Sequence, residues 1–99
     1  MYTVIRRYEG AEDSTEVVRR AVEEFAPMLR ERPGFQGYYA VDAGDGVLAT
    51  ITVFETEEAA VESTSAAAAW VRENLPELAS QTPQVTVGST IGVMAEAPA

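Results

Sequence analysis

The residues of this 99-residue chain that could do chemistry are few, and two sets of them are adjacent pairs. Arg6 and Arg7 lie in a strand-like run, TVIRRY. A guanidinium there is suited to an anionic ligand, which it can hold through two parallel hydrogen bonds. The plainer reading is an ion pair with Glu9, or with a carboxylate of a partner chain near the strand end. Tyr38 and Tyr39 offer phenol hydroxyls to a ligand, although tyrosine also packs well at half-buried strand positions. Trp70, the single tryptophan, reads either as a platform for a flat ligand or as core packing beside four alanines. Ser63-Thr64-Ser65 carries three hydroxyls on one helix. A hydroxyl nucleophile needs a neighbouring base, and the chain has neither His nor Lys to serve as one. A mildly polar helix face is the simpler account. Glu57, Glu58 and Glu62 could share a hard cation, but helix capping and solvation explain them more directly.

What is missing narrows the chemistry further. Without Cys there are no disulfides, thiolate nucleophiles or thiolate metal sites. Without His the commonest general base and transition-metal ligand is gone. No cofactor and no metal is therefore expected. Acidic residues outnumber basic ones 16 to 7, for a net charge of −9. That balance repels nucleic acid and anionic membranes. All seven basic residues are Arg, which reads as a coding bias. The first ten residues, MYTVIRRYEG, lack the apolar core of a signal peptide. The longest apolar run, Ala66 to Val71, is far too short to span a bilayer. The expectation is a cytoplasmic protein with one domain over residues 1–99.

The elements that would position these residues follow from periodicity. Tyr2 to Tyr8 is rich in β-branched and aromatic residues and reads as a strand. Asp13 and Glu16 form a capping box ahead of an amphipathic helix over roughly residues 14 to 31. Pro27 inside it predicts a kink or restart. Phe35 to Val41 and Val47 to Glu55 read as a second and third strand. Between them, Asp42-Ala-Gly-Asp-Gly46 suits a hairpin turn. Its glycines could suggest a phosphate cradle, but such a loop opens a helix and this one opens a strand. Thr56 caps a second helix that runs to about Asn74, where Pro76 stops it. Gln84 to Met94 reads as the last strand, with Val85, Val87, Ile91 and Val93 on one parity, and Ala95 to Ala99 as a frayed tail. The order β-α-β-β-α-β is the ferredoxin-like, α+β arrangement: a four-stranded antiparallel sheet with two helices on one face.

That arrangement leaves one sheet face uncovered, and neither face reads as polar. In Val47 to Phe54 the odd set is Val47, Ala49, Ile51 and Val53; the even set is Leu48, Thr50, Thr52 and Phe54. A large apolar face in water marks an interaction surface. The economical partner is a second copy, giving a homodimer whose two sheets form an eight-stranded barrel.

Two stretches carry a family likeness: PGF at 33 to 35 with Gly37-Tyr38-Tyr39, and the strand-to-helix junction ITVFETEEA at 51 to 59. Over nearly its whole length the chain resembles the dimeric α-β barrel superfamily, in particular its antibiotic-biosynthesis-monooxygenase-like group. The resemblance implies a range of activities. Some members are cofactor-independent monooxygenases of polycyclic aromatic substrates; others degrade haem, isomerise lactones or have no known activity. Many enzyme members place Trp where this chain has Phe54, and the haem-degrading members use a helical His that it lacks. The functional expectation is a dimer that binds an apolar or aromatic small molecule between sheet and helices, through some of Arg6, Arg7, Tyr38, Tyr39, Phe54 and Trp70. Oxygenase activity is one form of that expectation. A structural or partner-binding dimer without a pocket is the alternative.

The missing His and Cys generate a first prediction. Protein purified without a tag should carry zinc, iron and copper well below one equivalent by elemental analysis.

Overall fold

Why Tyr2–Tyr8 is a strand is visible in its burial, which alternates residue by residue and so demands a two-faced sheet. The computed structural model describes residues 1–79 and 82–94. Its elements are β1 (Tyr2–Tyr8), α1 (Ser14–Arg20), a π-turn (Ala21–Phe25), α2 (Ala26–Arg30), β2 (Phe35–Gly44), β3 (Val47–Phe54), α3 (Glu57–Asn74), α4 (Pro76–Ala79) and β4 (Gln84–Ser89). The strands form one antiparallel sheet in the order β2-β3-β1-β4. This is the expected ferredoxin-like topology, with β1 internal and β2 and β4 at the edges.

The helix starts are set by side chains. Asp13 accepts the Glu16 backbone N–H at 3.1 Å, and Thr56 accepts that of Ala59 at 3.2 Å. Pro27 has the effect its chemistry requires. It has no N–H to donate, and its ring crowds the carbonyl four residues back. The chain widens just ahead of it into the π-turn, where the Ala26 N–H reaches the Ala21 carbonyl, and Pro27 then sits in the first turn of α2. The turn keeps both Ala21 and Phe25 pointing inward.

Besides β3, which ends at Phe54 and not Glu55, three boundaries differ from the sequence reading. β2 runs on to Gly44, through a bulge between Asp42 and Gly44, so that Gly44 pairs with Val47. Asp45 and Gly46, with φ of 54° and 77°, are the two turn residues, as a two-residue hairpin of this twist needs. β4 ends at Ser89, not Met94, because it pairs only with β1, and β1 begins at Tyr2, opposite Ser89. Ile91 and Val93 lie beyond the sheet and are exposed. Pro76 does not merely stop α3; it opens the single turn of α4. The tail at 95–99 lies outside the described residues.

The parity question has a clear answer. Leu48, Thr50, Thr52 and Phe54 of β3 are buried under the helices, together with Val4, Arg6 and Tyr8 of β1. The core joins Val4 and Phe54 to Phe25, Leu29, Ala60, Ala67 and Trp70. Ala49, Ile51 and Val53 face the other way, alongside Ile5, Tyr39 and Val41, which are 40%, 64% and 43% exposed. Arg7, the charge on this open face, pairs with Glu9. Among the described residues nothing covers the face. No described helix is long and apolar enough to cross a membrane.

With the faces assigned, two lysine substitutions separate. Thr52→Lys puts an unpaired ammonium under the helices and should abolish most folded yield. Ile51→Lys, on the open face, should change the folding of a lone chain by only about 0.5 kcal/mol. Its damage should appear instead as loss of self-association in sedimentation. Wild-type association by Ile51→Lys would place that face in water.

Candidate functional site

Arg6 is the centre of the candidate site. It lies on the internal strand β1, opposite Thr50 on β3 and Val85 on β4. Its parity sends it under the helices, where it is 3% exposed. The guanidinium donates to Ser63 Oγ at 3.4 Å, and the Ser63 hydroxyl donates to the Ala60 carbonyl at 2.6 Å. The described ion pairs join Arg7, Arg19 and Arg20 to glutamates; none involves Arg6. Burial pushes the Arg6 pKa below its ordinary value, and the nearby Tyr8 and Tyr38 phenols act in the opposite direction. Arginine stays protonated regardless. Burial also raises both phenols. Tyr38 is pushed up to about 12 although the Arg6 charge opposes the shift, and Tyr8 moves the same way. Both are therefore hydrogen-bond donors at neutral pH and not bases.

Around Arg6 the packing is incomplete. A small chamber of about 30 Å³ is bounded by Arg6, Tyr8, Tyr38, Phe25, Trp70 and Leu78. A larger recess of about 180 Å³ lies between α3 and β4, bounded by Arg6, Tyr8, Thr64, Val71, Arg72 and Val85. Arg6, Tyr8 and Val71 belong to both. Leu75 and Leu78 separate the chamber from an outer cleft of about 340 Å³ at the start of α1. On its far side, Tyr38 borders an open groove of about 690 Å³ along α2 and β2. The indole of Trp70 packs against Phe25 with ring centroids 5.3 Å apart, and the Arg20 guanidinium lies 6.0 Å from the Trp70 ring centroid. Arg20 also donates to the Asn74 carbonyl at 2.8 Å, closing the end of α3.

Of the residues singled out in the sequence, the fold brings together Arg6, Tyr38 and Trp70. It sends Arg7 and Tyr39 to the opposite sheet face, as adjacency on a strand requires. Phe54 is fully buried, edge-on to Phe35 at 6.0 Å, and lines neither the chamber nor the recess. The glycine-bearing loop is a hairpin turn and cradles nothing. Among the described residues no acidic cluster could hold a metal. Sequence reasoning passed over Tyr8, Thr50 and Arg72, and weighed Ser63 only as one hydroxyl of the Ser63-Thr64-Ser65 run. A signal for two of them was present. Tyr8 shares the parity of Arg6, and Ser63 lies three residues after Ala60 and four before Ala67, on the buried stripe itself.

With this geometry in view, the likenesses to known proteins fall into order. Residues 1–81 match the model of the antibiotic biosynthesis monooxygenase family. The chain belongs to that family. No curated protein matches the sequence. Solved structures share its fold at low identity. A protein of unknown function from Nitrosomonas europaea superposes with a TM-score of 0.74 at 16% identity, over 98% of this chain and 95% of the other. A monooxygenase from the gene ActVA-Orf6 of Streptomyces coelicolor, in complex with nanaomycin D, gives 0.72 at 19% identity, over 97% and 92%. SnoaB, a cofactor-independent oxygenase from Streptomyces nogalater, gives 0.72 at 15% identity, over 96% and 97%.

The raised phenol of Tyr38 makes this family member sensitive to alkali. The folded state holds the proton up to about pH 12, whereas an unfolded tyrosine releases it near 10.0. The unfolded chain then binds fewer protons, so stability is intact below pH 10 and falls between 10 and 12. Thermal melts across that window should drop in the wild type and drop less in Tyr38→Phe.

Proposed function

We propose that this protein is a monooxygenase-like homodimer that binds an aromatic small molecule between sheet and helices, against Arg6. The observation that carries the reading is a buried guanidinium with no described carboxylate partner, opening onto an apolar cavity in a member of this family. The chamber itself has room for about one water; the adjoining recess of about 180 Å³, walled by Ala68, Val71, Pro83 and Val85, is the space for a small ring. Polar donors line the chamber: the Arg6 fork and the Tyr8 and Tyr38 phenols.

The chemistry open to such a site is limited by its lack of a base. The chain has no His, and the described residues lining the chamber and the recess include no carboxylate. A substrate must therefore ionise by its own acidity. A phenol set beside Arg6 becomes more acidic, because the cation favours the phenolate. The phenolate of a strongly electron-rich ring can pass one electron to dioxygen, and the resulting radical pair can then combine at a ring carbon. If the ring carries a hydrogen para to the hydroxyl, one phenol and one dioxygen give a quinone and one water. One oxygen atom becomes the new carbonyl; the other leaves as water with the ring and hydroxyl hydrogens. That balance needs no outside reductant, in keeping with the lack of thiolate and imidazole ligands for a metal. The same missing base favours a second reading, in which the site binds its aromatic without turning it over.

The dimer is supported by the open face of β1, β2 and β3, where Ile5, Ile51 and Tyr39 align across three strands. Packing two such faces would give an interface resembling a core cut in half. Sedimentation at micromolar concentration should give twice the 10.7 kDa chain mass.

The function is tested with a series of hydroxylated aromatics of one to four fused rings, in air, without added cofactor. Oxygen uptake equal to quinone formed supports the monooxygenase reading. Saturable binding with no uptake supports the binding module. Neither, for every member of the series, removes both and leaves the structural dimer.

A further inference from the structure

The local charge around Arg6 runs against that of the whole protein. The chain carries 16 acidic and 7 basic residues. Yet the described residues lining the chamber and the recess include Arg6 at the back, Arg72 at the mouth and not one carboxylate. Arg6 is 3% exposed, and its described hydrogen bonding is one donation to Ser63 at 3.4 Å, the long end of the range. A guanidinium has five N–H donors in a planar fork shaped for two oxygens of one anion. Leaving such a group buried without its counter-ion is unfavourable for the free protein. No described residue supplies that counter-ion, and the recess is the space through which an external one would reach Arg6.

We propose that the site selects a one- or two-ring aromatic bearing an anionic oxygen, seated on Arg6 and drawn in past Arg72. This rests on the reading that the space between sheet and helices is a ligand site, and narrows it in two ways. Charge is the first. An aromatic carboxylate or an acidic phenol supplies the missing acceptors, whereas a neutral analogue of the same shape leaves the fork unsatisfied. Size is the second. The chamber and recess, about 30 and 180 Å³, fall short of the roughly 300–1,000 Å³ of sites for larger ligands. Trp70 and Phe25, packed on each other, close the chamber on its helix side. A ring can therefore lie along the recess between Val71 and Val85 with its anionic end at Arg6.

The test compares 2-naphthoate with its neutral near-isostere 2-naphthamide by calorimetry at pH 7, with 2-naphthol added to tell a carboxylate from a phenol. Wild-type protein should bind naphthoate about ten-fold or more tightly than naphthamide, the discrimination expected of charged hydrogen bonds. Arg6→Met, similar in length and apolar, should erase that ratio and melt no lower than the wild type, since it removes an uncompensated charge. Arg72→Gln should weaken naphthoate a few-fold and leave naphthamide unchanged. Equal binding of the two ligands by the wild type overturns the charge selection while leaving the ligand site standing. A steep fall in the melting temperature of Arg6→Met makes Arg6 structural and overturns its role. A four-ring carboxylate that binds as tightly as naphthoate overturns the size limit. If no ligand of the series binds and no phenol is turned over, the site itself fails and the selection with it.

Discussion

The rest of the structure depends on the fact that a single layer of helices covers only one face of the sheet. Once Leu48, Thr50, Thr52 and Phe54 are fixed under the helices, alternation assigns the rest of β1 and β3 and the stretch of β2 between its two bulges; the bulge between Phe35 and Gly37 puts Phe35 on the same side as Tyr38. Alternation is why Arg6 is buried and Arg7 is not, and why Tyr38 sees the helices and Tyr39 does not. A one-residue slip of β1 against β3 would exchange those roles and place Ile5 where Arg6 now stands. The register is strongly specified because the helix-side set includes Val4 and Phe54, both fully buried, which no slipped pairing could keep there.

Tight packing and an unfinished polar site coexist a few residues apart on β1. Near Val4 the core is closed by Phe25, Leu29 and Phe54. Near Arg6 and Tyr8 it is held by a smaller cluster with Leu48 and Leu78, the latter supplied by the single turn of α4. Ser63 marks the transition, a polar residue at the middle of the buried stripe of α3, between Ala60 and Ala67. A hydroxyl there spends its hydrogen on its own helix and leaves an oxygen for Arg6. The small residues beside it let α3 approach the sheet closely, which keeps the guanidinium out of water.

How much of this was legible in the sequence differs by element. Periodicity and capping placed α3 from the Thr56 cap to about Asn74, because helix ends marked by side-chain chemistry are local features. The order of elements was legible for the same reason. The end of β4 was not, since it is set by where β1 begins, a pairing between residues about ninety positions apart, on the edge of the sheet. Parity was not legible either, because β3 is apolar or small on both sides. The site suffered from that ambiguity: Arg6 and Arg7 were equivalent candidates until burial separated them. Phe54 drew attention as an aromatic at a family position, but its full burial against Phe35 makes it core. The Ser63-Thr64-Ser65 run reads in the sequence as a mildly polar helix face, yet Ser63 lies on the buried line with Ala60, Ala67 and Trp70.

The hairpin at Asp45-Gly46 has a mechanical meaning. The Ala11 N–H donates to the Gly46 carbonyl at 3.0 Å, and Ser14 and Thr15 donate to the Asp42 carboxylate at 2.9 and 3.0 Å. A Cβ at Gly46 would meet the Ala11 carbonyl oxygen at 2.8 Å, so the two loops touch along bare backbone. The turn between β2 and β3 is thereby riveted to the segment that leads into α1, across more than thirty residues of chain. Neither loop can swing without the other. The tip of the hairpin, in most sheets the loosest point, here acts as a brace on the first turn of α1, and the amide of Ala11 should exchange with deuterium at the pace of the hairpin rather than at that of an ordinary surface loop.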